Sequence, residues 1–429
     1  MMPAPLGSRV AYFSMEITLD PTMPTYAGGL GILAGDTLRS AADLGVPMVA
    51  VSLLHRKGYF RQHLDKQGNQ SEGPAAWSPE KMLEAMKPVA SVTIAGRQVR
   101  VRAWRYLVEG ITGHVVPVYL LDTAIAENNT FDQTLTDHLY GGDAYYRLCQ
   151  EVVLGIGGVG ILPKLGHHHI SSYHMNEGHS ALLSLALVEQ RLGGRPLHSA
   201  SEDDLAAVRH KCVFTTHTPV PAGHDQFPLD VVRNVLGAEP TQALERIGAC
   251  PNAVLNMTQL ALHASRYING VAMRHGEVSR SLFPQYPIRA ITNGVHALTW
   301  TASPFQRLYD RHIPEWRADN LYLRYAIGIP VAEIREAHAQ AKKTLMQYVL
   351  SRTGQQLDQD MMTIGCARRA ASYKRADLIF RNRDRLKWIA KNVGGLQIVF
   401  GGKAHPHDQG GKDLIRRIAE HARAVDQRA

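Results

Sequence analysis

The residues best equipped for chemistry lie in one short stretch, Gly365-Cys-Ala-Arg368-Arg369-Ala-Ala-Ser-Tyr373-Lys374-Arg375, directly after an apolar, strand-like run. Fixed positive charge, bidentate guanidinium donors and the N–H groups of a following helix are what hold a phosphate against its own hydration. The alternative for such a block is a solvated charge cluster. Gly401-Gly402-Lys403-Ala404-His405 repeats the strand-then-glycine arrangement and places one more cation to add to the first four. Near the N-terminus, Tyr26-Ala-Gly28-Gly29-Leu30-Gly31 follows a strand and opens a helix, so the backbone can approach an anion or a sugar closely. It lacks the GxGxxG spacing, and no acidic residue closes a short second strand, which argues against dinucleotide binding.

Three predicted strand ends carry polar residues where apolar ones would be easier to bury: His174-Met-Asn176-Glu177-Gly178-His179, Thr215-Thr216-His217-Thr218-Pro219 and Thr292-Asn293-Gly294-Val295-His296. Ligands of open α/β sheets bind outside the carboxyl ends of the strands. Neutral His, Asn and Glu there suit hydroxyl groups, each of which both donates and accepts. One such histidine is more often a satisfied core residue; three strand ends of this kind in one lobe point to a polyol site. No metal is expected. The adjacent side chains of His167-His168-His169 diverge, and Cys149, Cys212, Cys250 and Cys366 are far apart with no CxxC pair, as befits reduced thiols. No Gly-x-Ser-x-Gly elbow and no evident carboxylate pair occurs. The chemistry left is transfer between a sugar and phosphate, or between a sugar and a nucleotide diphosphate.

The elements that must position these groups alternate. Val10–Ser14 reads as a strand, followed by a helix to about Leu44 and a buried-strand run at Val46–Leu54. Val89–Ile94 and Val99–Val108 read as a hairpin, and a long helix follows Asp143. Strands are expected at Ile170–Met175, Val213–Thr216, Tyr267–Val271 and Ile288–Thr292, with helices at Ser180–Leu192 and near Met257–Ser265. Such alternation predicts a mostly parallel sheet covered by helices. Beyond Asn293 come helices at Pro304–Tyr309 and from Val331 to about Ser351, then strand Met362–Cys366, helix Lys374–Lys391, strand Leu396–Phe400 and helix Gly411–Arg423. That is the opening of a second doubly wound unit with two strands of it written.

A length of 429 residues exceeds one ordinary core, so two domains are expected, with 45% apolar and 20% charged residues as in soluble globular chains. No stretch has the apolar length of a membrane span, and the N-terminus lacks a signal-peptide layout, so a cytoplasmic protein without membrane partners is expected. The net charge of +9 comes wholly from residues 361–429, which hold 15 Lys/Arg against 6 Asp/Glu. Much of that excess lies on one helix face with only Trp388 as an aromatic, so nucleic acid is not expected as a partner.

Tyr12-Phe-Ser-Met-Glu16, Tyr26-Ala-Gly-Gly-Leu-Gly31, Gly58-Tyr-Phe-Arg-Gln62, Met175-Asn-Glu-Gly-His-Ser180, Thr216-His-Thr-Pro219, Thr292-Asn-Gly-Val-His296, Arg368-Arg369 with Tyr373-Lys374-Arg375, and Gly401-Gly-Lys-Ala-His-Pro406 together resemble the α-glucan (glycogen and maltodextrin) phosphorylases in their shorter bacterial form. The resemblance runs in order over nearly the whole chain. It implies an α/β fold with the two-lobed glycosyltransferase (GT-B) architecture and an intervening cleft. Residues 1–290 would form a doubly wound lobe for glucan and phosphate, and 291–429 the first part of a Rossmann-like second lobe. It also implies release of glucose 1-phosphate from α-1,4-glucan by inorganic phosphate with retention, assisted by the phosphate of pyridoxal 5'-phosphate. A homo-oligomer is compatible with the family.

By the same resemblance, Gly28 and Gly29 would approach the cofactor phosphate and the substrate, and the Leu30 amide would lie near glucose. Arg369 and Lys374 would grip substrate phosphate, with Arg368 near the cofactor. The His217 carbonyl would face the developing oxocarbenium charge. Glu177, His179, Val271 and Asn293 would line or bind the sugar. One departure stands out: the family's Schiff-base lysine follows a Glu-Ala-Ser-Gly-Thr stretch that has no match here, and the single Met-Lys pair is Met86-Lys87. The expectation is of a second lobe that is cut short and a chain inactive by itself. Alternatives are a non-catalytic glucan-binding remnant, or a nucleotide-sugar-dependent glucan synthase on the same architecture.

Overall fold

A computed structural model describes residues 7–75, 77–218 and 224–425. The strands in chain order are β1 (Val10–Ser14), β2 (Met48–Leu53), β3 (Arg61–Leu64), β4 (Gln70–Gly73), β5 (Glu84–Ile94), β6 (Arg97–Glu109), β7 (Val115–Asp122), β8 (Ser172–Asn176), β9 (Cys212–Thr216), β10 (Gln226–Pro228), β11 (Val254–Asn256), β12 (Tyr267–Gly270), β13 (Ile288–Ala290), β14 (Met362–Ala367) and β15 (Leu396–Gly401). The chain divides into two compact units, one of residues 1–59 with 75–296, the other of 60–74 with 297–429.

The first unit is built on a nine-stranded sheet in the order β13-β12-β9-β8-β1-β2-β7-β6-β5. From β13 to β7 neighbouring strands are parallel, and β7-β6-β5 is an antiparallel meander. Sequence decides this division. Every residue of β2 is buried, as a strand covered on both faces requires, whereas burial alternates along the second half of β5. Along β1, Ala11 and Phe13 enter one apolar cluster while Tyr12 enters another. A one-residue slip would exchange the two faces. The β5–β6 hairpin closes through Ala95 and Gly96, both at positive φ (49° and 74°), the backbone sense that matches strand twist. The helix expected after Asp143 runs Ala144–Val152, and the Asp143 carboxylate accepts its Tyr146 N–H at 2.9 Å. Strand β7 was not expected from the sequence; Pro117 interrupts what is otherwise a buried apolar run.

In the second unit, β14 and β15 form a two-stranded parallel sheet, and β3 pairs with β4 antiparallel. Helices Ser303–His312 and Val331–Thr353 share a small core of Leu308, Ile313, Trp316, Ile329 and Ala337. The short β3–β4 hairpin has exposed or half-buried residues throughout, so hydrogen bonds rather than apolar burial tie it down. Gln62 Nε2 donates to the Gly402 carbonyl at 3.1 Å, Gln70 exchanges two bonds with Ala404 at 2.9 Å each, and Lys412 pairs with Glu72 at 2.8 Å.

One expectation for this unit needs correction. The helix expected from Lys374 begins only at Arg383, where the Asn382 side chain accepts the Arg385 N–H at 2.9 Å. Between them lie single turns at Ser372–Lys374 and Leu378–Phe380, and Arg375 sits at φ 48°, a left-handed conformation that stops a helix from propagating. Lys403 is joined to the Arg368–Arg375 segment through its carbonyl, which accepts the Ala370 N–H at 3.0 Å. Its Nζ donates to the Phe60 carbonyl at 2.8 Å and lies 4.4 Å from the centre of the Phe60 ring.

Candidate active site

Within the first unit the polar residues gather at the carboxyl ends of β1, β8 and β9. Strand β1 ends at Ser14, whose hydroxyl receives the Asn176 amide at 3.0 Å from the end of β8. Two residues on, the buried Glu16 carboxylate accepts the Ala27 and Gly28 N–H groups at 2.6 and 3.1 Å, fixing the glycine loop. Gly31 has to be glycine, since a Cβ there would lie 2.7 Å from Glu16 Oε2 and 2.6 Å from Tyr26 Cβ. Helix Gly29–Asp43 starts at this loop without a side-chain cap, and a Cβ placed on Gly28 or Gly29 would meet nothing within 4 Å. The first-turn N–H groups there have no i−4 carbonyl to bond.

Glu16 connects this loop to the histidines. Its second oxygen accepts the Tyr140 hydroxyl at 2.8 Å, and the Tyr140 ring carries the Arg147 guanidinium 4.9 Å above its centre. Arg147 donates to Asp225 at 2.6 Å, and Asp225 lies 3.2 Å from His179 Nε2. Burial opposes the charge on Asp225, but the bond to His179 and the nearby Arg147 charge outweigh it and hold the acid ionised well below its ordinary range. Glu151, one turn from Arg147, is fully buried; desolvation and then the Asp225 charge push it well above the usual carboxylate range, so it holds its proton. The sequence reading missed Arg147, Glu151 and Asp225. A signal was present: an i, i+4 Arg–Glu pair in an otherwise apolar helix.

Glu177 occupies φ 68°, a conformation that costs a non-glycine residue of order 1–3 kcal/mol and persists where the surroundings enforce it. Its carboxylate accepts the His217 N–H at 2.8 Å and the Thr218 hydroxyl at 3.0 Å, so it shapes the turn after β9. Pro219, the last residue of that motif, lies outside the described residues. Burial pushes the His217 imidazole down to about 4, against the pull of Glu177, and pushes His174 likewise to about 4. Both are neutral at physiological pH and act as hydrogen-bonding groups rather than cations.

Among the described residues, five buried side-chain atoms at these strand ends have no partner: Asn176 Oδ1, His179 Nδ1, Ser180 Oγ, Thr216 Oγ1 and His217 Nε2. Native proteins rarely leave buried polar atoms unsatisfied, so these five are open to water or to a polar ligand. Beyond the neighbouring strand β12, Asn293 N donates to the Val271 carbonyl at 3.0 Å, and the Asn293 residue is exposed. The structure thus joins Gly28 to His179 through Glu16, Tyr140, Arg147 and Asp225, pairs Glu177 with His217, and separately links Val271 with Asn293.

The second unit presents Arg368 and Arg369 exposed just past β14, with Lys374 half-buried and its Nζ 5.8 Å from the Tyr373 ring centre. Among the described residues none of Arg368, Arg369, Lys374 and Arg375 forms an ion pair, and the nearest acid in sequence, Asp377, is taken by Arg417 at 3.4 Å. The Arg368 and Ala370 N–H groups are spent on the Gly401 and Lys403 carbonyls at 3.0 Å each. An anion here would meet side chains and the single turn Ser372–Lys374 rather than the start of a regular helix. Among the described residues no group of His, Cys, Asp and Glu is arranged to hold a metal, and no helix is long and apolar enough to cross a membrane. His167 is instead buried and bonded to the Tyr119 hydroxyl at 3.0 Å.

Residues 224–429 match the family model described as carbohydrate phosphorylase. The chain belongs to the carbohydrate phosphorylases. It is 36% identical to the maltodextrin phosphorylase of Thermococcus litoralis over 96% of this chain and 53% of that protein. It is 34% identical to the glycogen phosphorylase of Mycobacterium tuberculosis over 97% of this chain and 54% of the relative. An uncharacterized protein of Methanocaldococcus jannaschii is 31% identical over 93% of this chain and 70% of its own length. The chain thus spans about half the length of the named phosphorylases it matches. The motifs at 292–296, 368–375 and 401–406 fall inside the matched residues 224–429, and the α/β class with a large, mostly parallel sheet agrees with the family.

Proposed function

We propose that this chain carries the sugar- and phosphate-handling residues of an α-1,4-glucan phosphorylase, which transfers a terminal glucosyl unit to inorganic phosphate and yields glucose 1-phosphate with retention. The first unit would be a doubly wound lobe of the GT-B class serving glucan and phosphate, and the second unit the first part of a Rossmann-like second lobe. The observation that carries the reading is the group of five unsatisfied polar atoms at the ends of β8 and β9. A glucose residue supplies hydroxyls that donate to one neighbour and accept from another, which is what such a mixed set demands.

In this reading His179, held at Nε2 by Asp225, offers Nδ1 to a glucose hydroxyl, and Asn176, Ser180 and His217 complete the cradle, with Asn293 and Val271 lining it. Glu177 fixes the peptide of His217, whose carbonyl faces the positive charge that develops at the anomeric carbon. Charge aimed at the transition state is the largest usual contribution to rate. Arg369 and Lys374 hold substrate phosphate, and Arg368 adds positive charge beside them. The open backbone at Gly28 and Gly29, at a helix start, fits the phosphate end of pyridoxal 5'-phosphate. The single Met86-Lys87 pair lies on β5, the edge strand of the sheet, and so is not placed to hold the aldehyde end. When bound, the cofactor would supply a phosphate group that exchanges a proton with the substrate phosphate.

Calorimetric titration of the 429-residue chain with maltoheptaose and with glucose 1-phosphate tests the reading. Both are expected to bind, and Arg369→Gln should weaken glucose 1-phosphate about tenfold, the worth of one charge-assisted contact, without changing maltoheptaose. Glucan binding with no response to glucose 1-phosphate would favour a non-catalytic glucan-binding role. Tighter binding of a uridine diphosphate sugar than of glucose 1-phosphate would favour a nucleotide-sugar-dependent synthase.

A further inference from the structure

A cavity of about 470 Å³ lies in the first unit, lined by residues of helices Leu183–Leu192, Glu202–Arg209, Ala238–Arg246 and Met257–Ala264. None of the sugar- or phosphate-handling residues lines it. Its walls are apolar: Leu185, Val188, Leu197, Val208, Leu244 and Leu260 all contribute, and each is buried. Protein interiors pack as densely as organic crystals, and voids much larger than a water molecule are few. A space of this size lies instead within the ~300–1,000 Å³ span of small-molecule sites.

The polar groups on the lining are unequal in sign. Arg209 and Arg246 both border the cavity, with Glu202 the one carboxylate. Arg209 is oriented by its Nε bond to the His263 carbonyl at 2.9 Å, and Arg246 by bonds to the His198, Leu197 and Ala200 carbonyls. Carbonyls orient a guanidinium without neutralising it. Among the described residues neither arginine forms an ion pair, although Arg191 and Arg195, on the adjoining segment, both pair with Asp204. Two carbonyl-held guanidinium groups at the exposed rim of an apolar space, against the single Glu202 carboxylate, are complementary to a molecule with an apolar body and one negative head.

We infer that this cavity is a binding site for a small apolar organic anion, a medium-chain or aromatic carboxylate, separate from the sugar and phosphate groups. The body fills the space between the four helices, and the carboxylate meets Arg209 and Arg246. Ligation there would brace helix Leu183–Leu192, which follows directly on the His179–Ser180 turn at the end of β8.

The test is calorimetric titration of the full chain with decanoate, and with decanol as the uncharged counterpart. Decanoate is expected to bind at one saturable site, at least tenfold more tightly than decanol. Ala243→Phe and Ala264→Phe, which enlarge two half-buried alanines on the lining, should each weaken decanoate tenfold or more while leaving the thermal midpoint unchanged or raised. Arg209→Gln with Arg246→Gln should remove the preference for the charged ligand and keep decanol binding. No decanoate binding at millimolar concentration, equal binding by the filled variants, or equal affinity for decanoate and decanol in the unaltered chain would each overturn the inference.

Discussion

Acid should open the first unit through its buried neutral histidines, and His55 gives the cleanest measurement. His55 is fully buried just beyond β2, its Nε2 bonds the Met15 carbonyl at 2.8 Å, and its Nδ1 has no partner among the described residues. Burial pushes its imidazole down to about 4, against the raising effect of the Met15 carbonyl. In the unfolded chain the group titrates near its ordinary value of ~6.5. Between those two values the unfolded state binds a proton that the folded state refuses. Stability is therefore intact above about pH 6.5 and falls as the pH drops toward 4. From pH 7 to pH 5 the loss from this one residue is about 2 kcal/mol, tending to ~3 kcal/mol at lower pH. His167, His174 and His217 are likewise depressed to about 4 by burial, so each adds a loss of the same sign over the same pH interval. The variant His55→Gln keeps an amide to donate to Met15 and removes the titration. Hydrogen exchange of β1 and β2 peptides, corrected for intrinsic rates, reads the opening free energy at pH 7 and pH 5. The unaltered chain should lose about 2 kcal/mol more over that interval than the variant. Identical losses in the two proteins would refute the argument.

Gly35→Ala should destabilise the first unit by at least ~2 kcal/mol, because the added Cβ would stand 2.1 Å from the Thr18 carbonyl; an unchanged thermal midpoint would contradict that packing. Asp122→Asn should cost ~3–5 kcal/mol in denaturant unfolding, since the acid receives Arg56 at 2.7 Å and Arg102 and Trp104 at 2.9 Å each, and both cations would remain half-buried. These same bonds overcome burial and hold Asp122 at about 2, so its contribution is present above the ordinary carboxylate range near pH ~4 and lost as the pH falls through 2. Asp225→Asn should weaken maltoheptaose at least fivefold by releasing His179 and lower the thermal midpoint by leaving Arg147 with Glu151 alone; full affinity would show that His179 is held by other means.

The local pattern settled a good deal of this protein. The runs at β1 and β2 could only be buried strands, the polar stretch between Ile94 and Val99 could only be a turn, and Asp143 announced its helix through the cap it makes. The histidine- and asparagine-bearing strand ends stood out as candidates for the proposed sugar site, because polar residues beside apolar strands are conspicuous one segment at a time. Residue order also carried the family, since the motifs fall in sequence along nearly the whole chain.

Other features exist only once the chain is folded. The β3–β4 hairpin has no apolar face to give it away; it belongs to the second unit because Gln62, Gln70 and Glu72 find partners more than three hundred residues on, at Gly402, Ala404 and Lys412. Arg375, read as part of a helix start, takes a left-handed conformation, so no regular helix follows the Arg368–Arg375 block until Arg383. Glu16, Tyr140, Arg147 and Asp225 are spread over some two hundred positions, and each is unremarkable in its own segment. Sheet topology brings them side by side, and burial then fixes their charges, ionised on Asp225 and protonated on Glu151. Sequence determined which groups are present and on which kind of element, because propensity and periodicity are local. Tertiary structure decided which groups share a proton, a charge or a void, because desolvation and packing depend on everything that surrounds an atom.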